Sequence, residues 1–326
     1  MKICLDSADY LISSKYVIFL GMSYLRTELH CHNLHSNDHL GDLEPPFDCD
    51  VSVQAQLEQS LKADLDVLFV TNHNTLDGYK QMLEYKRNHE KFSSLKVYPA
   101  EEVTTDKEAH VLVYGISEEI KSNQTLDEIL DAARSQGAVT VAPHPFSLID
   151  ALREDSLKCD LFEVFNSSNI DIFSNKKAEI FAKEHHLDVI AGSDSHIVST
   201  IGRCTNLIES ENSLDDIISA LSKKRVSIEN TGYVSRSEVL QHIQYKIENS
   251  KEYIDWYVRE FYPKFFSLFN ASYKFYMHTK KSYLWDVAFR LAIFALKRIS
   301  YKINFEGYDP YAFRTRDIPT MTRMIL

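Results

Sequence analysis

Between residues 26 and 234 short apolar runs alternate with longer amphipathic stretches. The runs are Val67–Val70, Val97–Ala100, Val111–Tyr114, Ala138–Ala142, Leu161–Phe165 and Leu187–Ala191. Most of their residues are β-branched or aromatic, as in parallel strands buried on both faces. The segments Ser52–Ala63, Gly78–His89, Thr125–Gln136, Ile172–His185 and Ser213–Lys223 lie between or after them. In the first of these, Val53, Leu57 and Leu61 recur at four-residue spacing, which marks one face of a helix. Strand and helix alternating over some 200 residues predict an α/β architecture, a barrel.

From about residue 235 the pattern changes. Residues 235–326 are rich in Tyr, Phe, Lys and Arg, contain few strand-like runs and read as helices. Leu284–Ile299 carries Leu284, Ala288, Leu291, Ala295 and Leu296 on one side. Asp286, Arg290, Lys297 and Arg298 interrupt it, so it is too charged and too short for a bilayer span. Three segments are therefore expected: an N-terminal extension over 1–25, a catalytic-type domain over 26–234 and a basic, aromatic helical region over 235–326. That last region is expected to pack on the barrel. A membrane-surface or nucleic-acid contact is the competing reading.

Composition sharpens this picture. With 44% apolar and 25% charged residues, the 326-residue chain can bury a full core and is not disordered. The net charge is −11, yet residues 241–326 hold 14 Lys and Arg against 8 Asp and Glu, so the acidic excess lies before them. An acidic body repels polyanions unless bound cations reverse the sign locally. Five scattered cysteines without a CxxC pair argue against a disulfide framework and for a cytoplasmic protein. The apolar run Tyr16–Leu20 lacks a cleavage site, so no signal peptide is expected, and Met22 is an alternative start to Met1.

The histidines carry the chemistry. His30 and His32, His73, His110, His144 and His196 all sit in short motifs beside apolar runs, most of them just after one, with His35 in the loop after the first pair. Side chains alternate along a strand, so His30 and His32 point to one side, as do Asp194 and His196. Residues at the C-terminal ends of barrel strands converge on one mouth. Nitrogen and oxygen donors without a thiolate pattern favour Zn²⁺, Mn²⁺ or Fe²⁺. A shared metal site is expected, because six strand-end histidines are not separately explained as structural residues.

The elements His30-Cys31-His32, Thr71-Asn72-His73, Ala100-Glu101-Glu102-Val103-Thr104, His110, Pro143-His144-Pro145 and Gly192-Ser193-Asp194-Ser195-His196 together resemble the PHP (polymerase and histidinol phosphatase) family. The resemblance runs in the family's order over about residues 26 to 231. It implies an irregular (β/α)7 TIM-like barrel, two or three divalent ions per chain and phosphoester hydrolysis. It further implies the ligands His30, His32, His73, Glu102, His110, His144, Asp194 and His196. Glu102 is preferred to Glu101 because an aliphatic and then a hydroxyl residue follow it. Two departures stand out. Ser36-Asn37-Asp38 replaces the family's Ser-Asp-Gly, leaving Asn37, Asp38 or His35 as candidate substitutes, and Asn72 stands where an aspartate is usual, as an orienting residue rather than a ligand.

The expected activity is metal-dependent hydrolysis of phosphoesters, phosphatase- or exonuclease-like, with nucleotide-type substrates preferred. The partner would be a phosphorylated small molecule or a nucleotide or oligonucleotide end. His144 and His196 are candidate acid–base residues and Arg203 a candidate phosphate clamp. Glu163 and Asn166, at the end of Glu-Val-Phe-Asn, read as loop caps, with support of the ligands or contact with substrate as the competing reading. His89, His185 and His186 receive no role, and His39 stays open. The competing functions are a degenerate metal-binding module with a polyanion- or membrane-binding tail, and a metal hydrolase of the amidohydrolase type.

Overall fold

The computed structural model describes residues 23–40 and 44–325. The leader, with Cys4, the run Tyr16–Leu20 and Met22, lies outside them. Among the described residues nine strands form one sheet: β1 (Tyr24–Glu28), β2 (Val67–Val70), β3 (Lys96–Thr104), β4 (His110–Tyr114), β5 (Val139–Ala142), β6 (Leu161–Asn166), β7 (Val189–Gly192), β8 (Thr205–Glu209) and β9 (Val226–Asn230). Their order is β7-β6-β5-β4-β3-β2-β1-β8-β9. The first seven follow chain order and curl until the ends of the series meet, giving a nearly closed, irregular α/β barrel. The first strand begins at Tyr24, two residues before the expected boundary.

Closure is uneven along the barrel axis. At the mouth the chain beyond β1 pairs directly with the chain beyond β7, through Asp194 N–H to His30 O (2.8 Å) and His32 N–H to Ser195 O (3.0 Å). Below it β8 lies antiparallel along β1, with Asn206 opposite Thr27. There the Asn206 side chain donates to Ala191 O (2.8 Å) and accepts from Ala191 N–H (3.0 Å). A side chain thus stitches β8 to β7.

All-parallel pairing, expected from the apolar runs, is corrected. The β3–β4, β4–β5, β1–β8 and β8–β9 pairs are antiparallel. Only residues 105–109 join β3 to β4, too few for a parallel crossover, so the two form a hairpin. Burial on both faces still holds, because the barrel has an inside and a helical coat. Val67, Phe69, Leu112, Tyr114, Val141, Leu161 and Ile190 share one interior cluster, closed by Ile217 and Leu221 of α5 (Leu214–Ser222). The alternate positions face outward. Leu68 and Val70 meet α1 (Val53–Lys62) and α2 (Asp77–Arg87), while Val111 and Val113 meet α3 (Leu126–Ser135) and α4 (Phe173–His185). Ser52, Thr125 and Ser213 cap α1, α3 and α5 by accepting backbone N–H bonds.

The C-terminal region is helical, as expected: α6 (Arg236–Asn249), α7 (Lys251–Phe261), α8 (Phe266–Thr279), α9 (Tyr283–Glu306) and α10 (Ile318–Ile325). The second half of α9 docks on the barrel through Ile299, Ser300, Ile303 and Asn304, with Ser300 Oγ donating to Asp171. Of the residues that the sequence placed on one side of this helix, Leu284 and Leu291 are exposed. Among the described residues, no helix is long and apolar enough to cross a membrane.

Candidate metal centre

The strand ends bring all eight predicted ligands to one mouth. His30 and His32 follow β1, His73 follows β2, His144 follows β5, and Asp194 and His196 follow β7, with Glu102 near the end of β3. His110 differs from expectation. It opens β4, but β4 runs back against β3, so its N-terminal end faces the same mouth and His110 pairs with Thr104. The side chains form four overlapping groups: His32, His73 and His196; His30, His32, Glu102 and Asp194; His73, Glu102 and His110; and His110, His144 and Asp150.

Glu102 is the centre of the arrangement. Its Oε2 faces His30 Nε2 (3.3 Å), His32 Nε2 (3.2 Å) and His73 Nδ1 (3.5 Å). Its Oε1 faces His110 Nδ1 and His144 Nε2, both at 3.0 Å. Glu101 points away, accepts from Ile120 N–H, and is pushed by burial up to about 8. Asp194 Oδ1 lies 3.4 Å from both His30 Nε2 and His32 Nε2. Four ligand atoms at 2.0–2.1 Å from a tetrahedral ion stand about 3.3 Å apart, so this tetrad fits a divalent cation. Buried His32 Nε2, His73 Nδ1 and both ring nitrogens of His110 lack a directed hydrogen bond. Such orphans are costly unless an ion uses them.

The opposite ring edges are held by the protein. His30 Nδ1 meets Glu163 Oε1 (2.8 Å), and the other Glu163 oxygen accepts His144 N–H (2.7 Å) and the Asn166 amide (2.8 Å). His32 Nδ1 meets Ser36 Oγ (3.1 Å), which donates to Asn72 Oδ1 (3.1 Å). Asn72 is thus an orienting residue at one remove from His32. Glu163 and Asn166, read from sequence as loop caps, are buried against the cluster instead. His144 and Asp194 hold left-handed backbone (φ 28° and 48°), a strain of about 1–3 kcal/mol each that the surrounding bonds maintain.

Electrostatics follow from burying so many ionisable groups together. Burial alone would raise the Glu102 carboxyl, but His30, His73 and His110 hold it well below its usual range. Burial lowers His73 to about 4, leaving it neutral, the form in which imidazole ligates. Burial also opposes charge on His196, yet Asp48 and Asp194 carry it up to about 9.

Two carboxylates that the sequence did not single out complete the mouth. Asp48 Oδ2 lies 2.7 Å from His196 Nε2 and 3.6 Å from His73 Nε2. Asp150 Oδ1 lies 3.3 Å from His144 Nδ1. Both come from loops without regular spacing, so no local pattern marks them. Asn37 and Asp38 do not enter the cluster. Asn37 Oδ1 accepts from the backbone N–H of Asp48 (2.7 Å) and Cys49 (3.0 Å), and so shapes the loop that delivers Asp48. Arg203 is likewise engaged elsewhere, with Glu238 (2.6 Å), Tyr233 O (3.0 Å) and Ser199 O (3.3 Å). Beside His196 a small pocket is lined by Ser168, Asp194, Ile197, Glu238 and His242, so α6 forms part of its wall.

The uncharacterised protein MJ0417 of Methanocaldococcus jannaschii is 32% identical over 162 residues, a match covering 44% of this chain and 68% of that protein. Residues 173–226, which include Asp194 and His196, match the family described as PHP-associated. The chain belongs to the PHP family. Two solved structures are similar at lower identity. PsfC from Pseudomonas syringae is 19% identical, with a TM-score of 0.49 over 70% of this chain and 99% of that one. The lesion-specific endonuclease EndoQ from Pyrococcus furiosus is 17% identical, with a TM-score of 0.48 over 63% and 58%. The cluster gathers the eight residues that the resemblance implied as ligands, and leaves out Asn37 and Asp38.

Proposed function

We propose that the chain is a metal-dependent phosphoesterase holding two or three divalent ions, Mn²⁺, Zn²⁺ or Fe²⁺, in this mouth. The observation that carries the reading is the bridging position of Glu102, one oxygen toward His30, His32 and His73 and the other toward His110 and His144. His30, His32, Glu102 and Asp194 would hold one ion and Glu102, His73 and His110 a second; His144 with Asp150, or His196 with Asp48, would hold a third. Such ions, when bound, neutralise a phosphoryl group and bring a bound water's pKa toward neutrality. Glu163 fixes the His30 and His144 edges of the site, and Ser36 fixes His32. Of the two acid–base candidates, His196 is the one that lines the pocket; with the third ion at His144 and Asp150, its Nε2 is left free of metal and is assigned the proton to the leaving oxygen. His144, enclosed by Glu102 and Asp150, is assigned a ligand role only.

The finer assignment is a nucleotide-type monoester or diester. Phe47 and Tyr245 pack edge to face beside the Asp48 loop (centroids 6.5 Å) and offer a base a stacking surface. The test is turnover by Mn²⁺-loaded protein of an aryl phosphate, an aryl phosphodiester, a nucleotide panel and a lactone. Phosphoester turnover that disappears in His32→Ala, with folding retained, is expected. Turnover of the lactone alone would assign the site to amidohydrolase chemistry, and a loaded but inert protein would leave a metal-binding module.

A second reading concerns the outer face of the C-terminal helices. Phe265, Leu268 and Phe269 near the start of α8, and Leu284, Leu291 and Phe294 on α9, are exposed. Lys264, Lys274, Arg290 and Lys297 lie among them. Exposed apolar side chains interspersed along the chain with cations fit an anionic lipid surface. Co-sedimentation with phosphatidylserine vesicles, lost in Leu291→Glu/Phe294→Glu, is expected. Equal binding by that variant, or binding to RNA alone, removes the reading.

A further inference from the structure

Helix α6 belongs to the C-terminal region, outside the motif-bearing barrel, yet one of its faces is turned into the mouth. Glu238, His242 and Lys246 stand at four-residue spacing, so they share that face. Glu238 ties the first turn down by accepting from Arg203 (2.6 Å) and Ser199 Oγ (2.8 Å). His242 stacks on His196 (centroids 4.8 Å) and bonds Asp48 O through Nε2 (2.7 Å). Tyr245 receives the Asn37 amide at its hydroxyl (3.1 Å). Lys246 Nζ reaches Asp48 Oδ1 at 2.6 Å, and Asp48 turns its other oxygen to His196.

Lys246 is placed as a substrate-binding group rather than as a surface ion pair. Its side chain is three-quarters buried, at 25% exposure, with Asp48 as its partner among the described residues. An ammonium group has three N–H donors, so two remain undirected. Asp48, Glu44 and Asp150 are its neighbouring carboxylates. These three carboxylates also lie against His196, His110 and His144, so Lys246 stands over the candidate ligand set.

We propose that Lys246 binds a phosphoryl oxygen of the substrate, making α6 and the C-terminal region part of the active site. This rests on the phosphoesterase reading, and it assigns to Lys246 the phosphate contact that the sequence suggested for Arg203. Arg203 instead acts at a distance, by anchoring α6 through Glu238.

The experiment measures inorganic phosphate binding by calorimetry to Mn²⁺-loaded full-length protein, beside metal content and melting temperature. Wild type, Lys246→Gln and Lys246→Arg are compared. A charge-assisted hydrogen bond lost without its partner predicts roughly tenfold to hundredfold weaker phosphate binding in Lys246→Gln. Metal content should be unchanged, the KM for an aryl phosphate should rise in parallel, and Lys246→Arg should recover part of the affinity. Unchanged phosphate affinity overturns the proposal. Loss of bound metal in Lys246→Gln overturns it too, because the lysine would then act only through Asp48. Should Lys246→Gln not fold, Lys246→Arg decides alone: altered phosphate affinity at full metal content supports the contact, and wild-type affinity refutes it. If wild-type protein loads metal but neither binds phosphate nor hydrolyses any ester, the phosphoesterase reading fails first and takes this one with it.

Discussion

At the residue scale, the site depends on close approaches that leave no spare volume. A Cβ added at Gly192 would stand 1.7 Å from Glu163 Oε1 and 2.9 Å from His30 Cβ. Gly192→Ala must therefore displace the carboxylate that orients His30. Overpacking of this kind costs about 1–3 kcal/mol, so a lowered melting temperature is expected together with reduced metal content by elemental analysis. Glu163→Gln is gentler, keeping the shape while removing the charge behind His30 and one acceptor for His144. Orienting partners of metal-bound histidines are worth about tenfold to a hundredfold in metal affinity, which a competing chelator would measure. Retained affinity would mean that Glu163 only fills space. The eight clustered side chains were legible in the sequence because each follows or borders an apolar run. Glu163 was under-read because a carboxylate in Glu-Val-Phe-Asn has no local mark separating an inward residue from a cap. Asp48 and Asp150 were not legible, being loop residues placed by contacts with distant parts of the chain.

At the element scale, the barrel helices α1–α5 were legible to within a few residues, since each has an apolar face and three of the five have a side-chain cap. The strands were less so. Val226–Asn230 is largely exposed and alternates too weakly to register, and the hairpin of β3 and β4 is set by a five-residue connection that a parallel reading passes over. In the sequence α6 shows only three polar residues at four-residue spacing, Glu238, His242 and Lys246, inside a region read as appended. Its capping box gives a pH test. Burial would raise the Glu238 carboxyl, but Ser235, Arg203 and Ser199 lower it to about 2. A depressed carboxyl contributes stability that is present above its unfolded value, near 4.5, and is lost as the pH falls toward 2. Glu238→Gln should thus destabilise α6 at pH 7 by about 1–3 kcal/mol, with the gap from wild type closing between pH 4.5 and 2. Hydrogen exchange at the α6 amides measures this, and a gap that persists at pH 2 would assign the effect to packing.

At the scale of the whole molecule, the barrel and the C-terminal helices form one structure. Ser300 and Asn304 of α9 bond to Asp171 and Phe146 O of the barrel, while α6 reaches the mouth. The sequence conveyed the barrel because its repeat is periodic, and it conveyed the basic tail as composition. It could not convey which side of the tail meets the mouth, a matter of docking rather than of pattern. Ions that bind only the folded chain stabilise it by about 1.4 kcal/mol for each tenfold of free metal above the dissociation constant. Chelator-treated protein should melt below the Mn²⁺-loaded form, with the difference growing logarithmically with added metal. Equal melting curves would mean that the cluster does not bind ions in the native state.

The ring is shut at its mouth by backbone bonds made at His30, His32 and Asp194, which are three of the four residues of the tetrad. Cations seated there would act as a clasp on the hoop. Starved of them, the barrel should part first along this join, so tolerance of metal depletion and exposure of the chain's first and last motifs to proteases should change together.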